Sequence, residues 1–425
     1  MNQMSFAGNT YAIRGGSIVN DVEKVGIGFE SYVQQAYAGN AIVFACEATR
    51  MSLFTEARFQ WRALKDGRPG KLFGTPDLRP LEEPWAGGTT GDLLARMLLD
   101  ADFAGNAFYR RLGDQIQRLR PDWTFLVYDG DPWDLATKLK FYAYQVGGES
   151  SGNPVERIPP EQVAHFTPHP DPLSPRRGMS WLTPVLREID ADLVATTHKD
   201  SMFRQGGTPN MIVKMDATVD EELMNAVVKL YREGHEDAAN AGKAWFVQAG
   251  FDPTVVGADL QQLDFKVIQG AGETRIAAAS GIHPVIVGLS EGLQGASLNA
   301  GNFNSARRLT ADKCLRPLWR NVSGALEWLV RNPVVTAGKS ELWYDERDIA
   351  FLREDRKDLA DIQVAQSSAM KQLIDAGYEP DSVTDAVTAN DYNLLKHSGL
   401  VTVQVQSGTQ EPQNGKVTEP ALAPQ

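Results

Sequence analysis

Between Asn40 and Leu53 the positions Ile42, Val43, Cys46, Thr49 and Leu53 recur three and four residues apart, the spacing of one buried helix face. Asn40 stands where an N-cap belongs. Arg58 to Arg62 changes period: Phe59 and Trp61 alternate with polar neighbours, predicting a strand followed by a Gly/Pro turn. The helical period returns from Asp92 to Phe103, where Leu93, Leu94, Met97, Leu98 and Ala101 form the apolar stripe. Strands are then predicted over Asn106 to Leu112, Gln115 to Arg120 and Thr124 to Asp129, with turn signals at Gly113-Asp114 and Pro121-Asp122, and Lys138 to Val146 continues the series. This half of the chain predicts a sheet backed by two helices, an α+β domain. The polar stretch before it, Met1 to Gly39, carries Phe29, Tyr32 and Tyr37 and predicts an arm ordered only by its neighbours.

Further on, Ile158 to Phe166 predicts a short strand that ends around His165 and runs into Pro168, Pro170, Pro172 and Pro175. Leu182, Val185, Leu186, Ile189 and Leu193 then share one helix face, opposite Glu188, Asp192 and Lys199, and the helix should stop at Gly206-Gly207. A helix of about 15 residues is expected from Glu221. After an apolar run ending at Val287 the pattern dissolves. Gly288, Gly292, Gly295 and Gly301, with Ser290, Ser297, Asn299 and Asn302 between them, favour neither helix nor strand and predict a loop. From Phe303 a long helix is expected, with Ala306, Leu315, Leu318, Trp319, Val322, Leu326, Leu329 and Val330 apolar and a kink near Cys314, because Pro317 lacks a backbone donor. Leu342 to Leu352 reads as a closing strand, and Leu359, Ile362, Val364, Ala369, Leu373 and Ile374 as a helix stopped at Gly377. A shorter helix should run from Asp381 to Leu395, and the Gln/Pro/Gly-rich end after Gly399 predicts disorder.

Composition narrows the function classes. The 425 residues carry a formal charge of -12, so the chain as a whole is not a basic nucleic-acid binder. No run of about 18 apolar residues offers a membrane span, and no cationic, apolar leader opens the sequence, which predicts a cytoplasmic protein. Two distant cysteines, Cys46 and Cys314, support neither a disulfide framework nor a zinc site, and the six histidines form no metal-binding spacing. The glycine-rich loop beside a helix invites a phosphate-binding reading. Glu291 is its only charge, however, and neither a Walker lysine nor G-x-G-x-x-G is present. Asp345, Glu346 and Asp348 form a carboxylate cluster, and His283 precedes Pro284, but no partner motif accompanies either. His165 and His169 read as hydrogen-bonded or exposed loop histidines. No cofactor is implied, and an enzyme is not expected.

Element order now matters. HFTPHPDPLSPRRGMSWLTPVLREI leads to a helix ending MFRQGGTPNMIV, then EELMNAVVKLYREGHEDAANAGKAWFV, DFKVIQGAGETRIAAASGIHPVIVG, the glycine-rich loop, a helix containing LRP, and LIDAGYEPDSVTDAV. In order and spacing, residues 40 to 400 resemble the portal proteins of long-tailed bacteriophages, with Phe203-x-x-Gly-Gly-x-Pro209 and Ile276-Ala-x-x-x-Gly-Ile-His-Pro284 as the most specific parts. The resemblance implies an α+β portal fold assembled as a ring, usually of twelve subunits, at one capsid vertex. It implies a wing at 40–181, a first stem helix at 182–208, a small α/β clip at 209–262 and a second stem helix at 263–281, weakened at Gly270-Ala-Gly272. A tunnel-loop region at 282–302, a long kinked helix and wing strand at 303–352, a helical crown at 353–400 and a tail at 401–425 complete it.

The partners so implied are further copies of the chain, double-stranded DNA, the terminase large subunit, head-completion or adaptor proteins, and the major capsid protein with its scaffold, without membrane. The virion is the expected location, after assembly in the host cytoplasm. Leu289, Ser290, Gly292, Leu293, Gln294, Ser297, Leu298, Asn299 and Asn302 would face DNA, with Leu289, Leu293 and Leu298 supplying bulk. Glu221, Lys229, Arg232, His235 and Lys243 of the clip would meet the motor or adaptor. Duplex DNA carries one charge per about 1.7 Å of axis, so lysines would grip it by counterion release. A loop with one acid and no base suits sliding instead. Arg307 and Arg308, behind the loop, read as a solvated or inter-subunit pair. The rival readings are another ring-forming head-tail adaptor, which would lack the long two-helix stem, and a nucleotide-binding enzyme.

Overall fold

The computed structural model describes residues 3–5, 10–12, 18–19, 21–25, 28–65, 68–204, 211–215, 251–255, 265–289, 300–330, 339–352, 355–389 and 392–399, together with a few positions between 220 and 229. The chain divides into two compact units, Met1–Phe351 and Leu352–Gln425.

In the first unit the strands are β1 Gln3–Ser5, β2 Thr10–Ala12, β3 Ile18–Val19, β4 Val22–Lys24, β5 Arg58–Lys65, β6 Arg68–Phe73, β7 Ala107–Leu112 and β8 Gln115–Leu119. After them come β9 Thr124–Tyr128, β10 Leu139–Tyr144, β11 Glu156–Ile158, β12 Val163–Phe166, β13 Met211–Met215, β14 Phe251–Val255 and β15 Lys339–Asp345. The expectation of one sheet is corrected: the strands form separate antiparallel sheets ordered β11-β10-β9-β4-β3, β12-β7-β8 and β15-β5-β6, plus the pairs β1-β2 and β13-β14. Ile158 to Phe166 is likewise split. The turn at Pro160–Gln162 sends β11 and β12 to different sheets.

The segment expected to be an arm is built into this unit. β4 pairs with β9 in the five-stranded sheet, and Phe29 and Tyr32 are buried in a helical core. Aromatics this large were the available sign, since each buries 150–250 Å² when enclosed.

Helices α1 Ala41–Phe54 and α2 Thr90–Ala104 fall where their periods place them. Asn40 caps α1, its Oδ1 accepting from the amides of Ile42 and Val43 at 3.0 Å each, while its Nδ2 donates to Asp192 at 2.8 Å. Thr89 and Asp92 make a reciprocal capping box on α2, and all five predicted stripe residues are buried. At its other end Gly105 (φ 73°) meets Gly178 so closely that a Cβ would sit 2.4 Å from the Gly178 carbonyl oxygen. Only glycine permits that approach.

α3 Leu186–Arg204 and α4 Phe265–Ser280 pack together and add Leu186, Ile189, Ile276 and Ala277 to the core of Val43, Cys46, Phe103, Trp181 and Leu182. Gly270-Ala-Gly272 does not interrupt α4. Each glycine costs about 1 kcal/mol in a helix interior, a penalty that packing against α3 outweighs.

The chain continues through α5 Pro284–Val287 and returns as α6 Ala300–Thr310, a π-helical turn Ala311–Leu315, and α7 Arg316–Leu326. The irregularity expected at Cys314 is this π turn, which absorbs the hydrogen bond that Pro317 cannot donate. Trp319 of α7 lies 5.5 Å from Tyr344 of β15, and its Nε1 donates to the Phe54 carbonyl at 3.0 Å. β15 ends at Asp345; Ala350–Leu352 is a 3-10 turn rather than strand. In the second unit α8 Asp355–Asp375 ends ahead of Gly377 (φ 98°) and is followed by α9 Pro380–Ala389. Gly206-Gly207 and the tail after Gly399 lie outside the described residues.

Candidate functional site

Two elements frame the glycine-rich segment. On the entry side His283 caps α5, its Nδ1 accepting from the Val285 amide at 3.3 Å, and Gly288 (φ 88°) turns the chain. The Leu289 amide bonds the Pro284 carbonyl at 3.0 Å and its side chain enters the core. On the exit side stand α6 and the π turn. The two sides are joined: the His283 amide donates to Thr310 Oγ1 at 3.3 Å, and Gly281 (φ 80°) lies so near Cys314 that a Cβ would be 3.2 Å from its Sγ.

Under this junction lies Arg50 of α1, its side chain 2 % exposed. Its Nε and Nη2 each reach Asp102 of α2 at 2.9 Å, while Nη1 donates to the Ser280 carbonyl and lies 3.2 Å from Cys314 Sγ. A planar guanidinium suits this task, since its donors leave one rigid group toward several acceptors. Glu47, one turn earlier on α1, is buried beside the pair and accepts from Trp181 Nε1 at 2.9 Å. Burial, and then the charge of Asp102, push its carboxyl well above the usual carboxylate range. One guanidinium thus faces two acids, and the surroundings of the second disfavour its charged form. Burial also raises the thiols of both Cys46, to about 11, and Cys314.

The sequence reading missed this cluster. The signal was present: Val43, Cys46, Glu47, Arg50 and Phe54 form one buried face of α1, and charges on such a face need partners.

Of the residues expected to face DNA, Leu289 is corrected. At 8 % exposure it anchors the core and offers no surface to a channel. Asn302 belongs to the first turn of α6, not to the loop. Ser290, Gly292, Leu293, Gln294, Ser297, Leu298 and Asn299 lie outside the described residues, as do Glu221, Arg232, His235 and Lys243. Lys229 is exposed. Arg307 is 5 % exposed, so the reading of a solvated pair with Arg308 does not hold for it.

The alternative chemistries find no support in the geometry. Asp345 accepts from the Arg347 guanidinium at 2.6 Å, which draws its carboxyl below the ordinary value, and Glu346 accepts from Arg316 Nε at 2.9 Å. These acids are ion-paired, not poised for proton transfer. His165 is on a strand rather than in a loop; its Nε2 is 3.0 Å from Asn106 Oδ1 and its Nδ1 3.3 Å from the Tyr142 hydroxyl. Because Asn106 Oδ1 accepts, Nε2 carries the proton. Burial, with Arg176 nearby, lowers this imidazole to about 3. Among the described residues no group of three or more His, Cys, Asp or Glu is arranged to hold a metal, and no helix is long and apolar enough to cross a membrane.

Comparison with known proteins fits this frame. The sequence matches one family profile, phage portal protein, over residues 43–372. No curated protein sequence matches. Among solved structures, a chain in the neck of a native gene transfer agent (GTA) particle computed with C12 symmetry is 19% identical, with TM-score 0.56, and the match covers 79% of this chain and 89% of that one. A chain in the virion of a native gene transfer agent particle is 20% identical, with TM-score 0.57, covering 80% and 89%. A crystal structure of an HK97 family phage portal protein from Corynebacterium diphtheriae is 12% identical, with TM-score 0.48, covering 73% and 94%.

Proposed function

The chain belongs to the phage portal protein family, and from that premise we propose that it assembles as a twelve-membered ring at one capsid vertex, through which double-stranded DNA is packaged and later leaves. Proteins of this family are structural components of the particle rather than enzymes. In this reading residues 40–181 are the wing, α3 and α4 the stem, 209–262 the clip, 282–302 the tunnel-loop region and 353–400 the crown. The terminase large subunit and then head-completion proteins dock at the clip, and the wing meets the capsid protein and scaffold. Assembly takes place in the host cytoplasm and the ring ends in the virion. The resemblance in fold to a chain of a neck computed with C12 symmetry supports the twelvefold number.

One observation carries the channel role: the stretch from Ser290 to Asn299 holds a single acid and no base, between two roots that the fold ties together. Such a collar meets a polyanion without releasing counterions, so the duplex slides. The length of α3, 19 residues or roughly 28 Å at 1.5 Å per residue, favours a portal stem over a short adaptor. The test is to add grip. Particles carrying Glu291→Lys with Ser297→Lys are expected to package and eject DNA more slowly at low salt and to recover as salt rises. Unchanged rates at every salt concentration would count against a loop that faces DNA.

A further inference from the structure

We propose that the Arg50–Asp102 pair is a positioning clamp at the base of the glycine-rich segment: it ties the two ends that flank it, residues 281–289 and 300–315, to one buried guanidinium. Four elements converge on one guanidinium. α1 supplies Arg50, α2 supplies Asp102 through two bonds at 2.9 Å, the end of α4 supplies the Ser280 carbonyl, and the π turn supplies Cys314 Sγ at 3.2 Å. The last two are the ends that carry the loop, because the chain leaves Ser280 toward Leu289 and re-enters through α6 into the π turn.

The geometry at those ends is over-determined. Gly281 holds φ 80°, with its Cβ direction 3.2 Å from Cys314 Sγ and 3.6 Å from Arg50 Nη1. Ser280 Oγ accepts from the Ile282 amide at 3.3 Å. Glycine takes this φ without strain, and the closeness of Cys314 and Arg50 leaves little room there for a side chain. The π turn adds a reason for a fastener. Its i+5 bonding is rare and less favourable than the α-helical register, so the exit root needs an outside hold to keep its phase. Lysine would not substitute, since a single ammonium cannot make the planar two-bond fork to Asp102 while also reaching Ser280.

The clamp rests on the tunnel-loop reading for its consequence but not for its existence, and the test separates the two. Hydrogen–deuterium exchange is measured on the assembled full-length protein as wild type, as Arg50→Lys and as Asp102→Asn. Leu119→Ala, in the separate core between the sheets, serves as a control lowered in Tm to a similar extent. Amides in 281–289 and 300–315 are expected to exchange about tenfold faster in both clamp variants and to be unaltered in the control. A rise in that window no larger than the control's, or no rise there, overturns the clamp. Should Arg50→Lys fail to fold, Asp102→Asn and its control decide alone.

DNA retention by particles built with the clamp variants then reads the channel role. Faster exchange with altered retention supports clamp and loop role together. Faster exchange with unaltered retention keeps the clamp and removes the loop from the DNA path.

Discussion

At the scale of single residues, the buried charges decide more than the exposed ones. Glu47 and Asp102 lie beside the same guanidinium, yet they should answer substitution in opposite ways. Burial, and then the charge of Asp102, disfavour the ionised form of Glu47, so Glu47→Gln mimics the favoured neutral form and keeps an acceptor for Trp181. It is expected to be within about 1 kcal/mol of wild type near pH 4 and more stable than wild type at pH 7. Asp102→Asn removes the carboxylate that Arg50 bonds twice and is expected to cost about 3–5 kcal/mol in urea melts. The pH dependence follows from the sign. A carboxyl raised on folding contributes stability that is complete below its unfolded value, near 4.3, and lost as pH rises through the folded value. Wild type should therefore lose stability upward from about pH 4.3 relative to Glu47→Gln. His165 gives the opposite limb. Its pKa is lowered to about 3, so the unfolded chain binds the extra proton between about pH 6.5 and 3, and acidification destabilises the fold by up to about 1.4 kcal/mol per pH unit. His165→Gln, which keeps a donor toward Asn106, should remove that slope. Equal slopes in variant and wild type would contradict the buried, neutral imidazole.

Among elements, the periodic ones were legible and the shared ones were not. α1 and α2 followed from spacing and caps because their burial is decided locally, by which side of the helix is apolar. The strands were legible singly. Their partners were not, because β4 joins β9 across about a hundred residues of sequence and no local period encodes that pairing. Gly270-Ala-Gly272 misled for a related reason: propensity speaks for an isolated helix, whereas α4 has α3 against it. Pro317 marked the right place, but a kink was expected there and the structure has a π turn. The π turn makes its own prediction. It stores one residue more than an α-helix needs, so deleting Lys313, which is exposed, should leave a cooperatively folding chain. Deleting the buried Ser323 from the middle of α7 rotates Trp319 and Val322 out of phase with the residues after it and should abolish folding. Circular dichroism melts distinguish the two, and equal loss would contradict a stored residue.

For the whole molecule, the family was legible from the order of elements, because long helices, a glycine-rich loop and Ile276-Ala-x-x-x-Gly-Ile-His-Pro284 fall in one sequence. The candidate site was legible only in part. Composition marked the loop by its missing charge, but the residues that hold it are scattered through four elements and meet only in the fold. Leu289 shows the limit in one side chain: apolar bulk in a glycine-rich stretch reads equally as channel lining or as core anchor, and the core claims it. The account turns on where residues 290–299 lie once copies associate. A cryo-electron reconstruction of the purified, assembled chain measures this directly. It should show a closed ring with a central bore, and those residues at its narrowest point. A ring with that segment on its outer rim, or particles without a bore, would contradict the account.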